Sequence, residues 1–294
     1  MRSKLFVPCS RPDFFAKALA SEADALSFDL EDSVPADGKA SARERLREVL
    51  QSDMVAASTK RMIVRVNAAD TPYFADDLAA LSGVRVDLLN LPKADAAEDV
   101  SRAIERMEAA KLAADVLVNI ETAAGLGNVA AIAVAHARVV GVQVGLNDLF
   151  AALAMERRDQ RHVHAALWAI RLGAAAAAAP VFTYDGAWPD LSDEDGYRAE
   201  AALARSLGYL GKSCIHPRQI AIANAIFDRG GDVARAGRML LAATAAADAG
   251  HGAFVFEGTM VDEPALAAAR ALVDAAARPA RARPGFAPPS VRFR

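Results

Sequence analysis

Eight short apolar runs recur along the chain, and each ends in Gly, Pro, Asn or a carboxylate before a longer Ala-rich amphipathic stretch. This alternation predicts repeated strand–helix units. The predicted strands are Leu5–Val7, Ala25–Leu30, Met62–Val66, Leu88–Leu91, Val116–Ile120, Val139–Val144, Val181–Thr183 and Gly211–Ile215. Helical spacing of polar and apolar residues lies between them, for example at Ala96–Lys111 and Ser192–Leu207.

An eight-stranded parallel (β/α)8 TIM barrel usually takes about 250 residues, and the chain has 294. An open doubly wound sheet shows the same alternation, but it usually has a Gly-rich phosphate-binding loop after its first strand. Here that position holds Pro8-Cys9-Ser10-Arg11-Pro12, whose prolines disfavour such a loop. The closed barrel is therefore the predicted fold.

The predicted barrel occupies residues 1–228 and leaves a long C-terminal remainder. Residues 229–277 are predicted to form a helical extension with a lid, which contains a short Gly-flanked apolar segment, Ala253–Met260, and a final helix, Glu263–Ala277. Residues 278–294 are rich in Pro and Arg, which is typical of a tail that is mobile or docked on a partner.

Charge and hydropathy exclude several function classes. The chain carries 34 Lys+Arg against 37 Asp+Glu, a balance that disfavours charge-driven binding to nucleic acid. No apolar run reaches the roughly 18 residues of a membrane span, and Met1 leads into folded-looking sequence without a signal-peptide core. A cytoplasmic protein is therefore expected. Its two cysteines are too few for a disulfide framework.

Polar residues cluster at the C-terminal ends of the predicted strands, where barrels of this kind build their active sites. They are Asp29, Glu31, Asp32, Arg65, Asn67, Lys93, Glu121, Asp148, Lys212 and His216. Glu121 and Asp148 follow consecutive strands about 4.8 Å apart, so both carboxylates can reach one ion. Two carboxylates plus water suit a hard cation such as Mg²⁺, although two acidic residues in loops are also a common coincidence.

Arg65 ends an otherwise apolar strand in Arg65-Val66-Asn67. A buried guanidinium must find an anion, and a bidentate carboxylate is its best partner. That anion is either a substrate carboxylate or a structural partner, Glu31 or Asp32. The two interpretations are compatible, because a paired arginine can still offer a free edge.

These residues fall within motifs that resemble the HpcH/HpaI aldolase family, in its citrate lyase beta-subunit-like branch of CoA-thioester lyases. Seven segments match in family order over nearly the whole chain. They are Arg2–Pro8, Asp29–Val34, Arg65–Asn67, Leu91–Lys93, Glu121–Gly125, Gly145–Asp148 and Gly211–Pro217.

The resemblance implies a metal-dependent (β/α)8 barrel that works as a homotrimer or a dimer of trimers. It assigns Mg²⁺ to Glu121 and Asp148, and the substrate carboxylate or keto-acid product to Arg65. Three further residues, Phe6, Arg11 and Lys17, match positions that contact CoA in thioester-cleaving relatives. Their ordinary interpretation is a core aromatic residue and two solvated cations.

Residues 252–262, followed by Glu263-Pro264, resemble the C-terminal lid of the CoA lyases. In that group the aspartate at the position of Asp262 comes from a neighbouring subunit and exchanges a proton with the methyl carbon of the acyl-CoA. Asp262 also has a plain interpretation as the N-cap of the last helix, because Asp before Glu-Pro is a favourable helix start.

The predicted function is therefore a magnesium-dependent carbon–carbon lyase. It would cleave a 3-hydroxy-acyl-CoA of the malyl-, citramalyl- or citryl-CoA type to acetyl-CoA and a keto acid. Two alternatives remain at this point: a metal-dependent pyruvate aldolase, and an accessory citrate-lyase-like subunit that binds an acyl-carrier protein. The second is kept open by Ala152, which stands where the family usually has an acid.

Overall fold

The computed structural model describes residues 1–176, 181–248 and 252–277, and eight parallel strands dominate its first part. They are β1 (Ser3–Pro8), β2 (Ala25–Asp29), β3 (Arg61–Arg65), β4 (Leu88–Leu91), β5 (Asp115–Ile120), β6 (Val139–Val144), β7 (Phe182–Tyr184) and β8 (Lys212–Cys214). Their order is β7-β6-β5-β4-β3-β2-β1-β8. A parallel bridge between Asp185 and Lys212 brings β7 and β8 together. The predicted TIM barrel is thereby confirmed.

Helices on the outside of the barrel connect these strands. They are α1 (Phe15–Leu19), α2 (Lys39–Leu50), α3 (Asp53–Ala57), α4 (Tyr73–Leu81), α5 (Ala97–Ala109), α6 (Ala123–Gly127), α7 (Val129–Ala133), α8 (Leu146–Ala152), α9 (Gln160–Ala175), α10 (Glu194–Ser206) and α11 (Pro217–Ile226). Two single 3₁₀ turns precede α1 and α2.

The apolar core lies between the strands and the helices, because alternate residues of each strand face outward. Leu5 and Val7 of β1 belong to this outer core. The inward positions carry several buried polar side chains instead. Those from five strands are Lys4, Ser27, Asn90, Asn119 and Gln143. A barrel with a polar interior near its mouth has the chemistry to bind a polar ligand there.

A buried ion cluster lies where β7 and β8 meet α10, and we call Arg157, Asp185, Glu200 and Lys212 the closed cluster. Lys212 Nζ lies 2.7 Å from Asp185 Oδ2 and 2.7 Å from Glu200 Oε1. Arg157 donates to both oxygens of Glu200, at 2.7 and 3.1 Å. The side chains of Lys212, Asp185 and Glu200 are fully buried. Two cations thus neutralise two carboxylates away from water.

A second compact unit begins at Asp228, whereas the barrel unit ends at Phe227. The second unit contains α12 (Gly230–Asp248), a hairpin of β9 (Phe254–Phe256) and β10 (Thr259–Val261), and α13 (Glu263–Ala277). The hairpin turn has positive φ at Glu257 (48°) and Gly258 (80°). Met239, Val261 and Leu266 contribute to its small core.

The predicted final helix matches α13 residue for residue. The apolar segment Ala253–Met260 is more structured than the sequence indicated, because it contains β9 and most of β10. The predicted tail, 278–294, lies outside the described residues. Of the helices that the structure describes, none combines the length and the apolar character needed to cross a membrane.

Candidate active site

A cavity of about 350 Å³ opens at the C-terminal ends of the strands. Its wall combines polar and apolar side chains from strands and from the loops that follow them. Its lining residues include Phe6, Asp29, Asp32, Arg65, Asn119, Glu121, Gln143, Gly145, Asn147 and Asp148. Four residues singled out from the sequence, Phe6, Arg65, Glu121 and Asp148, therefore share one cavity.

Arg65 is held by three carboxylates. Its Nε and Nη2 donate to the two oxygens of Asp29, each at 2.8 Å. The strand register places Asp29 opposite Arg65, so the bidentate pair follows from the pairing of β2 with β3. Nη1 lies 2.9 Å from Glu31 Oε2 and 3.3 Å from Asp32 Oδ2. The structural pairing expected with Glu31 or Asp32 is present, and Asp29 is an additional partner.

The pKa of Asp29 reflects its pairing with Arg65. Burial alone would raise it, but the hydrogen bonds and charge of Arg65 lower the pKa of Asp29 below its ordinary value. Asp29 therefore remains ionised and keeps one edge of Arg65 in place. The other edge faces Glu31 and the more exposed Asp32.

Lys93 joins the same group of charges from the end of β4. Its Nζ lies 2.8 Å from Glu31 Oε1 and 3.7 Å from Asp32 Oδ1. The hydrogen bond with Glu31 raises the pKa of Lys93 to about 12. With φ at 52°, the backbone N–H of Lys93 donates to Glu121 Oε1 at 2.8 Å. Lys93 was noted at a strand end in the sequence, but its contact with Glu121 was not foreseen.

Glu121 is buried, with 3% of its surface exposed. Its second oxygen, Oε2, accepts from Asn119 Nδ2 at 3.2 Å. Burial, followed by the negative charges of Glu31 and Asp148, raises the pKa of Glu121 to about 7. A bound cation would relieve that repulsion and stabilise the ionised form.

Gly145 makes room for this carboxylate at the end of β6. A Cβ on Gly145 would stand 2.4 Å from Glu121 Cβ and 2.7 Å from Glu121 Oε2. A larger residue would have to displace the side chain of Glu121. Asp148 lies three residues later, in the first turn of α8.

We call seven charged residues the mouth cluster: Asp29, Glu31, Asp32, Arg65, Lys93, Glu121 and Asp148. The oxygen donors of Glu121 and Asp148 fit a hard cation. Within the described ranges, His, Cys, Asp and Glu side chains nowhere gather in groups of three or more that could hold a metal. A cation between Glu121 and Asp148 would thus keep positions for water or substrate, which is what Mg²⁺ usually does.

The remaining site predictions lie elsewhere. Arg11 is exposed, and its Nε and Nη2 pair with Asp13 at 3.1 and 3.0 Å. Lys17 is exposed on α1. Neither residue lines the cavity.

Asp262 belongs to the second unit, where its Oδ1 accepts from Ala265 N at 3.4 Å and its backbone oxygen accepts from Leu266 N. The N-cap interpretation of Asp262 thus has a structural counterpart.

Comparisons with known proteins agree with these motifs. The family model described as HpcH/HpaI aldolase/citrate lyase matches residues 2–217. The citrate lyase subunit beta-like protein of Deinococcus radiodurans is 38% identical over 280 residues, covering 93% of this chain and 96% of that protein. The L-malyl-CoA/beta-methylmalyl-CoA lyase of Cereibacter sphaeroides is 35% identical over 298 residues, covering 92% of this chain and 93% of that protein.

Among solved structures, the protein CitE from Mycobacterium tuberculosis in complex with magnesium, acetoacetate and coenzyme A superposes with a TM-score of 0.73. It is 34% identical, and the match covers 95% of this chain and all of that chain. The likeness therefore extends beyond the barrel into the second unit.

Proposed function

The chain belongs to the HpcH/HpaI aldolase/citrate lyase family, and from that premise we propose that it is a magnesium-dependent carbon–carbon lyase. Its substrate is a 3-hydroxy-acyl-CoA with a carboxylate on the hydroxylated carbon, of the malyl-, citramalyl- or citryl-CoA type. The products are acetyl-CoA and a 2-oxo acid. The observation that carries this proposal is the shared cavity of Glu121, Asp148 and Arg65.

Glu121 and Asp148 would hold the magnesium ion. When bound there, the ion would polarise the hydroxyl and carboxylate oxygens of the substrate and offset the charge that develops during cleavage. The protein prepares this position with Gly145, which leaves space for the Glu121 carboxylate, and with the N–H of Lys93, which orients it.

Arg65 would neutralise the substrate carboxylate. Its Nε and Nη2 are occupied by Asp29, so the available edge is Nη1. Asp32 is the more distant of the two partners there and its side chain is 53% exposed, so it can yield its place to a substrate carboxylate. The bidentate bond with Asp29 keeps the guanidinium in place during the exchange.

Cleavage breaks the bond between the hydroxylated carbon and the carbon next to the thioester. The hydroxyl group loses its proton to water as its oxygen becomes the carbonyl oxygen of the 2-oxo acid. The electron pair of the broken bond passes to the thioester as an enolate, and Asp262 would protonate that carbon to give acetyl-CoA. This role assumes the homotrimer or dimer of trimers that the family resemblance implies, with Asp262 supplied by a neighbouring subunit. It predicts that Asp262→Asn lowers turnover but leaves metal and 2-oxo acid binding intact; unchanged turnover would remove Asp262 from the mechanism.

CoA would lie across Phe6, Arg11 and Lys17. The position of Phe6 in the cavity supports its part, since it would contact the acyl end. Lys17 is exposed and can meet a phosphate, whereas Arg11 would have to exchange Asp13 for one.

The lyase is favoured over both alternatives. The match to the malyl-CoA lyase spans 92% of this chain, so it includes most of the second unit. The family resemblance implies that short pyruvate aldolases lack this lid module. The mouth cluster also keeps both carboxylates of a metal site, which an accessory subunit would not need.

Acetyl-CoA release from malyl-, citramalyl- and citryl-CoA, with and without Mg²⁺, tests the proposal. We expect metal-dependent release from at least one ester, and its loss in Glu121→Ala. No release from any ester would refute the lyase. In that case, metal-dependent cleavage of a 4-hydroxy-2-oxo acid without CoA would identify the aldolase instead.

A further inference from the structure

Two amide side chains on the cavity wall have no part in the proposed reaction so far. Gln143 lies on β6 and is buried, and Asn147 lies in the first turn of α8. Both line the same cavity as Glu121 and Asp148. An amide can turn either its oxygen or its NH₂ group toward a ligand, so its chemistry depends on what holds the other end.

A buried lysine holds the oxygen of Gln143. Lys4 is fully buried on β1, and its Nζ donates to Gln143 Oε1. The same amino group lies 4.4 Å from the centroid of the Phe6 ring and 5.5 Å from that of Tyr184. Because two aromatic rings lie beside this buried amino group, its hydrogen bond to the Gln143 oxygen offsets part of the cost of burying it.

An arginine holds the oxygen of Asn147 in the same way. Arg157 Nε donates to Asn147 Oδ1 at 2.7 Å. Arg157 is itself fixed by its two bonds to the buried Glu200, which Lys212 also binds. The closed cluster therefore reaches the cavity through Asn147.

Arginine only donates hydrogen bonds, so Asn147 must direct its oxygen to Arg157, and the oxygen of Gln143 likewise accepts from Lys4 Nζ. Both NH₂ groups are then turned away from Lys4 and Arg157 and available to the cavity. Asn119, on the neighbouring strand, differs because its Nδ2 already donates a hydrogen bond to Glu121. Gln143 and Asn147 thus supply neutral donors in a cavity otherwise rich in carboxylates.

We propose that Gln143 and Asn147 bind the 2-oxo acid portion of the substrate by donating hydrogen bonds to its oxygen atoms. This inference rests on the proposed function and adds the substrate class to it. Both amides flank the carboxylates assigned to the metal: Asn147 precedes Asp148, and Gln143 pairs in register with Asn119, the partner of Glu121. They are therefore placed beside a metal-bound acid.

The two donors also determine which 2-oxo acid the cavity prefers. Metal and Arg65 suffice for the carboxylate and keto oxygens that every 2-oxo acid has. The additional donors match an acid whose side chain carries a further oxygen, and a methyl group in that place would leave a buried N–H without a partner. Such a loss typically weakens binding about 5-fold to 150-fold. The preferred product is thus a 2-oxo acid with a side-chain carboxylate or carbonyl.

Calorimetric titration of the full chain with oxaloacetate and with pyruvate, both in Mg²⁺, tests this preference. We expect the wild-type protein to bind oxaloacetate at least about tenfold more tightly than pyruvate. In the uncharged variants Gln143→Met and Asn147→Ala, oxaloacetate affinity should fall by a similar factor, while pyruvate affinity changes little.

Two further variants separate this effect from damage to the fold. Gln143→Glu and Asn147→Asp keep the oxygen that Lys4 or Arg157 binds, remove the donor and add one negative charge. They should retain the wild-type melting temperature and bind Mn²⁺ at least as tightly, measured by electron paramagnetic resonance, yet bind oxaloacetate weakly. Gln51→Glu, which adds the same charge on the exposed end of α2, should behave as wild type.

The outcomes distinguish the two proposals. Equal wild-type affinity for both acids, or unchanged oxaloacetate affinity in the variants, would overturn the roles of Gln143 and Asn147 and leave the lyase proposal standing. Failure of the wild-type protein to bind either acid in Mg²⁺ would overturn both.

Discussion

The mouth cluster and the closed cluster are built from the same residue types but differ in charge balance and in access to water. The mouth cluster contains five carboxylates and two cations, whereas the closed cluster contains two of each. Lys93 in the mouth cluster is 47% exposed, whereas Lys212 in the closed cluster is fully buried.

This difference distinguishes a cluster that binds a ligand from a cluster that only stabilises the fold. In the closed cluster each carboxylate has a cation, so burial leaves no charge to be neutralised from outside. In the mouth cluster burial, followed by the charges of neighbouring carboxylates, raises the pKa of Glu121, and the excess of carboxylates favours the binding of a cation. Charge imbalance in a pocket, rather than the presence of buried ions, therefore indicates where a ligand binds.

The largest expected effect comes from removing a carboxylate at the mouth. Glu121→Gln should lower turnover roughly 10²- to 10⁴-fold, because magnesium loses a ligand. This corresponds to a loss of several kcal/mol of transition-state stabilisation. Mn²⁺ binding should be lost, while the melting temperature stays the same or rises. Glu105→Gln, an exposed change on α5, is the matched control. A folded Glu121→Gln protein with normal metal affinity would contradict the assigned site.

Removing the lysine of the closed cluster should affect stability instead. Lys212→Met leaves Asp185 and Glu200 buried with Arg157 alone, and we expect a loss of about 3–5 kcal/mol in the free energy of unfolding. Urea denaturation measures it, with Lys111→Met on the surface as control. A loss below about 1 kcal/mol would mean that this cluster is better solvated than its burial indicates.

The pH dependence of metal binding should reflect the mouth cluster. The pKa of Glu121 is raised to about 7, chiefly by burial, so the group is protonated below that pH and a cation must displace its proton. Mn²⁺ affinity should then fall by at most about tenfold for each pH unit below 7 and level off above it. A flat profile between pH 5.5 and 8 would show that Glu121 is already ionised without metal.

The smallest effect should come from Lys93, the mouth counterpart of Lys212. Lys93→Met should change the free energy of unfolding by less than about 1 kcal/mol, because water screens the pair with Glu31. Comparing it with Lys212→Met in the same urea series tests the contrast directly. Equal destabilisation by the two substitutions would remove the distinction between an open and a closed cluster.

The barrel could be predicted because strand patterning is local. Leu88–Leu91 and Val139–Val144 have the bounds that their apolar runs indicated. β1 is longer than predicted and begins at Ser3, since Ser3 and Lys4 are polar although buried and do not extend the apolar run. The hairpin in the second unit was missed because its turn depends on positive φ at Glu257 and Gly258.

The candidate site was partly predictable for the same reason. Arg65, Glu121 and Asp148 follow strands, and a parallel barrel brings all strand ends to one mouth. Their roles, like those of Phe6, Arg11, Lys17 and Asp262, stay predictions. Gln143 and Lys4 gave a weaker signal, a polar residue at an inward position of an otherwise apolar strand.

The sequence by itself determined the barrel, the family and the set of side chains at the strand ends, because these follow from periodicity and from short contiguous motifs. Only the tertiary structure decided which carboxylates hold Arg65, which burial and neighbouring charges raise the pKa of Glu121, and which end of Gln143 and Asn147 is free. Those outcomes depend on contacts between residues that lie 10 to 139 positions apart, from Asn147 and Arg157 to Lys4 and Gln143, and that form only in the folded chain. Hydrogen-bond direction and charge balance depend on such contacts and not on residue order.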